Sequence, residues 1–265
     1  MQLPETERVI YQRNPLVEVV GQLQFPQILK IVNQDPVEFQ DAIRVDYPIL
    51  EVATDVLWVE GDGEQLPDTR KLNTVYHFRS EDLRWQVSLS GHFIALTTKD
   101  YKRYEVFKHR FQKIVAAFEA IYKPSFYSRI GLRYQDLVIR SSLGLKDEDW
   151  TSLIPVHIAP ELHSPETAGA VIASTKTLMM KIETGLVAFR HGLVEARDPE
   201  QNLIEPAYLL DSDFFSEERT AVGSYVWERF DRYNKSARNL FRWSITEKLH
   251  LAMGPQSVTS GTASN

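Results

Sequence analysis

The sequence predicts an α+β protein: antiparallel β-meanders, each covered by a long amphipathic helix. Three observations predict it. Short strand-like runs follow one another through tight polar links, as in Val75-Tyr76-His77-Phe78, Trp85 to Ser90 and Phe93 to Thr98. One long stretch in each half carries apolar residues at helical spacing. The regular βαβ alternation of a doubly wound parallel sheet is missing.

The elements read in order. Leu16 to Phe25 alternates apolar and polar residues in its second half, so it predicts a strand, bounded by Asn14-Pro15 and Pro26. Asp35-Pro36 reads as an N-cap and first turn of a short helix that runs to about Val45, and Tyr47-Pro48 ends it. Leu50 to Glu60 is strand-like around Val56, Leu57, Trp58 and Val59, and Gly61 to Arg70 is a polar loop. The links Ser80-Glu81-Asp82 and Gly91-His92 join the three strands of the meander. Tyr104, Phe107, Phe111, Ile114, Val115, Phe118 and Tyr122 form one helical stripe, with Lys102, His109, Arg110 and Lys113 away from it; Pro124 stops the helix. Tyr127 to Ile139 is a further strand.

The segment Ser141 to Ala170 changes character, with three prolines, Asp147-Glu148-Asp149 and little periodicity. Leu178 to Phe189 and Gly192 to Ala196 read as strands with a turn at Arg190-His191, followed by a strand from Ala207 to Asp213. A long helix is expected from Glu217 to about Met253, with Val226, Phe230, Tyr233, Ala237, Leu240 and Phe241 on one face and Gly254-Pro255 at its end. The organisation that follows is an N-terminal meander-plus-helix half over 1–140, an irregular connection over 141–170, a C-terminal half over 171–254, and a Ser/Thr/Gly-rich disordered tail over 255–265. Strands followed by one long helix in both halves leave an internal duplication open.

Composition narrows the function classes. The 265 residues can bury a sizeable core, and 43% hydrophobic with 25% charged residues suits a globular chain. No apolar run is long enough to span a bilayer, and Met1 to Asn14 lacks the apolar stretch of a signal peptide. Cysteine is absent, which removes disulfides, thiolate zinc sites and thiol nucleophiles. A soluble, cytoplasmic protein is the expectation, with no membrane partner. The net charge of −6 gives no basic surplus for nonspecific nucleic-acid binding.

No phosphate loop, dinucleotide fingerprint or nucleophile elbow occurs, and no cofactor is expected. The seven histidines form neither an H-x-H nor an H-E-x-x-H pair. His157 and His163 flank Pro160 and Glu161 and could reach one ion; the alternative is a pair of surface loop histidines. Asp211 and Asp213 alternate on a strand, so both carboxylates would face one way and could hold Mg²⁺; the alternative is a solvated strand end before an acidic helical turn at Glu217 and Glu218.

The leading site candidate is cationic. Arg129, Gly131 and Arg133 share one strand face, opposite Ile130, Leu132 and Tyr134. Two arginines flanking a glycine could clamp a phosphate or carboxylate on open sheet; the alternative is that they pair with neighbouring acids. On the last helix Arg232, Lys235, Arg238 and Arg242 lie opposite the apolar stripe, interleaved with Glu228 and Asp231, which suits a solvated face better than a nucleic-acid rail. Trp58, Trp85, Trp150, Trp227 and Trp243 are scattered; Trp227 and Trp243 fall off the last helix's stripe, as interface residues or as anchors for a second packing partner.

Four strings resemble a sporadically distributed, uncharacterised family of bacterial proteins of similar length. They are Asn14-Pro15-Leu16-Val17-Glu18-Val19-Val20 with Phe25-Pro26; Phe78-Arg79-Ser80-Glu81-Asp82 with Trp85-Gln86-Val87-Ser88-Leu89; Arg129-Ile130-Gly131-Leu132-Arg133-Tyr134; and Phe230-Asp231-Arg232-Tyr233-Asn234 with Phe241 and Ile245-Thr246. The resemblance covers most of the chain. It implies histidine more often where this chain has Asn234, so any role of that histidine is absent here. It also implies an accessory gene product, of the toxin–antitoxin or phage-defence kind. The expected function is therefore a non-catalytic binding protein, a subunit or regulator with a protein partner, homo-oligomerisation remaining open. Its contact residues would be Arg129, Arg133 and Trp243, with Arg238 and Arg242 beside them. The alternatives are a nucleic-acid-binding module using those arginines, and a metal-dependent hydrolase using Asp211 and Asp213.

Overall fold

The computed structural model describes residues 3–54, 74–198 and 203–257. Alternation and helical spacing produce their expected elements through most of this length. In chain order come β1 (Val9–Tyr11), β2 (Leu16–Gln24), α1 (Leu29–Asn33), α2 (Val37–Ile43), β3 (Ile49–Thr54), β4 (Thr74–Arg79), β5 (Trp85–Leu89), β6 (Phe93–Thr98), α3 (Tyr104–Tyr122) and β7 (Arg129–Ile139). Then follow α4 (Trp150–Leu153), α5 (Pro160–His163), β8 (Lys176–Ile182), β9 (Gly185–Asp198), β10 (Leu203–Ser216), α6 (Ser224–Trp243), α7 (Glu247–Ala252) and β11 (Pro255–Ser257). Nine strands form one large antiparallel sheet in the order β3-β4-β5-β6-β2-β7-β10-β9-β8, and β1 pairs with β11 in a second sheet. The fold is α+β with helices packed on the sheet, as the patterning predicts. The strand centre at Val56 to Val59, Trp58, the polar loop at Gly61 to Arg70 and most of the tail lie outside the described residues.

By contact density the chain divides into two compact units. One comprises Met1–Val17, Arg133–Phe215 and Asp231–Asn265; the other comprises Glu18–Leu132 and Ser216–Phe230. The divisions fall inside β7 and inside α6 rather than in linkers.

The Glu18–Leu132 unit has an aromatic core beneath α3. The apolar stripe of α3 is buried at Phe107, Phe111, Ile114, Val115 and Phe118. Gly21 on β2 lets the helix approach closely: a Cβ there would sit 3.0 Å from the Phe111 ring and 3.1 Å from Phe107. Phe25 meets Phe118 at 4.7 Å between centroids, and Phe111 receives Trp227 at 5.8 Å and Phe230 at 5.6 Å, both near edge-on. Each such buried side chain contributes roughly 1.5–3 kcal/mol of transfer free energy. Trp227 is thus an anchor for this core.

The unit containing Arg133–Phe215 is built on β10, β9 and the helical face of β7. Tyr208, Phe214, Tyr233, Phe189 and Val138 are fully or almost fully buried. The segment from 141 to 170 is irregular, but it is also structural: Leu153, Ile154, Ile158 and Leu162 are buried, and Trp150 packs on Tyr208 at 6.0 Å.

Three local outcomes differ from the sequence reading. The hairpin between β8 and β9 turns at Glu183-Thr184, ahead of Gly185, and β9 runs straight through Arg190-His191. Arg190 and His191 find tertiary partners that keep them in the sheet, described below. The last helix breaks after Trp243: Ser244 is buried with its hydroxyl on the Leu240 carbonyl at 2.7 Å, and Thr246 restarts the chain as the N-cap of α7, accepting from the Leu249 N–H. At the start of α2, Asp35 makes no cap; its carboxylate accepts from the Tyr76 hydroxyl at 2.9 Å, and the helix begins after Pro36.

Candidate functional site

The side chains of β7 divide cleanly by parity. Ile130, Leu132, Tyr134, Asp136 and Val138 are buried, while Arg129, Arg133 and Gln135 on the other face are half-buried. The two arginines do not act as one clamp, because each has its own neighbour. Arg129 folds back over Gly131: its Nη1 lies 2.4 Å from where a Cβ of Gly131 would stand, and it donates to Gln22 Oε1 at 3.0 Å. Gly131 is therefore the bed of the Arg129 guanidinium rather than a gap for a ligand.

Arg133 enters a charged cluster. Its Nε and Nη2 donate to Asp211 Oδ1 and Oδ2, both at 2.7 Å, in a two-pronged pair. Arg190, which faces Asp211 in the β9–β10 register, brings its Nη2 to 3.0 Å from Oδ2. The Asp211 side chain is only 6% exposed, whereas those of Arg133 and Arg190 are 37% and 47% exposed. One buried anion thus holds two cations that reach the surface, a net charge of +1. The sequence placed Arg133 and Asp211 as separate candidates; the structure brings them together. Arg190 was missed because a polar Arg-His pair reads as a turn, although Gly185 carried the stronger hairpin signal.

Below Arg133, on the helical face, Asp136 is buried, and its carboxyl is pushed up to about 8, first by burial and then by the charge of Asp211. Nearby on that face the Tyr134 hydroxyl donates to Asn234 Oδ1 at 2.9 Å, a part-buried bond between β7 and α6. On β9, His191 is buried against Phe189 and within 2.9 Å of the Tyr208 hydroxyl; burial, then Lys176, holds its imidazole down to about 4.

The remaining expected residues are dispersed. Trp243 is half-buried under the His157 ring, 4.4 Å between centroids, and its carbonyl accepts from His157 Nε2 at 3.1 Å. His163 instead bonds the Ile154 carbonyl at 2.9 Å, so the two histidines serve different local contacts. Among the described residues, no group of three or more His, Asp or Glu is gathered for a metal ion, and Asp211 is engaged by arginines. Arg242 bonds the Ile245 carbonyl at 3.3 Å and pairs with Glu247; Lys235 pairs with Glu5, and Arg232 lies 3.9 Å from Glu183. Arg238 has a buried Nε without a hydrogen-bond partner, and burial followed by the charge of Arg8 lowers its pKa.

In the other unit a patch on β4 and β5 is polar but nearly neutral. Arg79 pairs with Glu51 at 2.9 Å and donates to Gln86 Oε1 at 2.9 Å. The Gln86 amide nitrogen lies 3.1 Å from both His77 Nδ1 and the Ser88 hydroxyl, which are themselves 2.9 Å apart. No protein-family model matches the chain, and no curated protein matches it.

Proposed function

We propose that the protein is a non-catalytic binding protein, a subunit or regulator of a bacterial accessory system, which receives a protein partner at Arg133 and Arg190. One observation carries the contact site: two half-exposed guanidiniums are fixed in place by the buried Asp211 carboxylate. Arginines held this way lose little side-chain freedom on binding and offer planar donors to carboxylates. The partner surface they suit is acidic. The accessory-system assignment rests on the family resemblance. The cations of α6 and its end are largely paired with acids, and this favours a protein over a nucleic acid.

The test is native mass spectrometry of the tagged protein isolated from its host at low salt, run beside Arg190→Glu. A stoichiometric protein partner present with the parent chain and lost with the variant is the expected result. A partner retained by Arg190→Glu would remove this site. Co-purifying nucleic acid released steeply by added salt would replace the reading with the nucleic-acid module.

A further inference from the structure

Strand β8 ends the nine-stranded sheet and pairs only with β9 among the described residues. Edge strands are ordinarily blunted by proline, bulges or outward charges. This one has seven residues in regular register from Lys176↔His191 to Ile182↔Gly185, with no proline. Its centre is apolar and open: Leu178 is 45% exposed and Met179 59%. Lys176 does not guard the edge, because its ammonium turns inward to the Ile158 carbonyl at 2.6 Å and to Glu161 at 2.7 Å.

The hairpin geometry says which backbone groups face out. The two-residue turn at Glu183-Thr184 closes on the Ile182–Gly185 pair. Alternation along an antiparallel ladder then directs the N–H and C=O of Ile182, Met180, Leu178 and Lys176 toward β9. Those of Thr177, Met179 and Lys181 point away from it, on the outer edge.

The sequence Lys176-Thr177-Leu178-Met179-Met180-Lys181-Ile182 is complementary to itself when reversed about Met179. Met179 then opposes Met179, Leu178 opposes Met180, Thr177 opposes Lys181, and Lys176 opposes Ile182. The three central apolar residues meet apolar residues, Ile182 stands opposite Lys176, neither lysine meets a lysine, and the outward backbone groups of the two Met179 residues face each other. We infer that the occupant of this edge is a second copy of the chain, joined β8 to β8 in antiparallel register about a twofold axis at Met179. One strand pair buries less surface than a standard interface, so the association is a weak one that depends on concentration. The inference uses none of the residues of the Arg133–Asp211–Arg190 cluster, so either can fail alone.

The test is sedimentation velocity of the full chain across a concentration series, with Met179→Lys, Met179→Glu and their equimolar mixture. The parent is expected to dimerise with concentration, and each charged variant to dimerise at least about tenfold more weakly, since like charges then stand directly opposite. The mixture is expected to regain dimer, because Lys then faces Glu at the axis. Circular dichroism matching the parent shows that the variants remain folded. A parent that stays monomeric, a dimer indifferent to both charges, or a mixture without recovery each overturns the inference.

Discussion

Two polar patches occupy the sheet, one in each unit, and they are organised on different principles. Around Gln86 the bonds are many, short and mutually redundant: Arg79 keeps Glu51, and His77 keeps Ser88, even when the amide is taken away. Around Asp211 everything converges on one buried carboxylate, and the two arginines lean on it from opposite strands. A neutral network spreads its risk, whereas a buried anion concentrates it. The concentrated patch is also the one that displays fixed positive charge.

The comparison breaks most decisively at Asp211. Asp211→Ala removes the shared acceptor and leaves Arg133 and Arg190 repelling each other; because both reach solvent, the loss of stability in urea unfolding is expected to be about 2–3 kcal/mol, below the cost for fully buried partners. A loss under about 0.5 kcal/mol would show that the arginines are not anchored by it.

Asp136 gives the next effect. Its folded-state pKa of about 8 lies above the ordinary carboxylate value, so between roughly pH 4 and 8 the native state keeps a proton that the unfolded chain has shed. Stability should fall as pH rises through that window and level off above it. Asp136→Asn should flatten the slope and gain about 2 kcal/mol at pH 7, read from unfolding at several pH values. Asp211→Asn should flatten it in part, by removing the second cause of the shift.

The neutral patch should respond less. Gln86→Ala is expected to cost about 1 kcal/mol or less, since each partner of the amide retains another bond. A loss above about 2 kcal/mol would mean that Gln86 is as central to its patch as Asp211 is to the other. The smallest effect is at His77, whose imidazole is held below its ordinary range by burial and then by Arg79. The unfolded chain therefore takes up the proton first, and stability falls as pH drops through the unfolded value; His77→Gln should make the acid limb of the stability profile shallower.

Much of the fold was legible because it depends on local period. The α3 stripe from Tyr104 to Phe118 and the alternation of β2 and β7 needed no tertiary knowledge. The break at Ser244 was hidden because the apolar spacing continues across it through Ile245 and Leu249, which are buried on the far side. Arg190 and His191 were misread for the opposite reason. Nothing near them in sequence explains a polar pair inside a strand, while Asp211 and Tyr208, some twenty residues away, do. The site was half visible. The face that carries Arg133 followed from parity, but its partner depended on which strand lies beside β7, and sheet order is not a local property.

The division of the chain has a consequence for how it is made. Phe111 waits for Trp227 and Phe230, which close its ring on two sides. A ribosome adding about 5–20 residues per second needs on the order of ten seconds to travel from Phe111 to Trp227. Throughout that interval the nascent unit carries an uncovered aromatic surface, a natural seat for a chaperone, and that surface cannot close until Trp227 and Phe230 have been made.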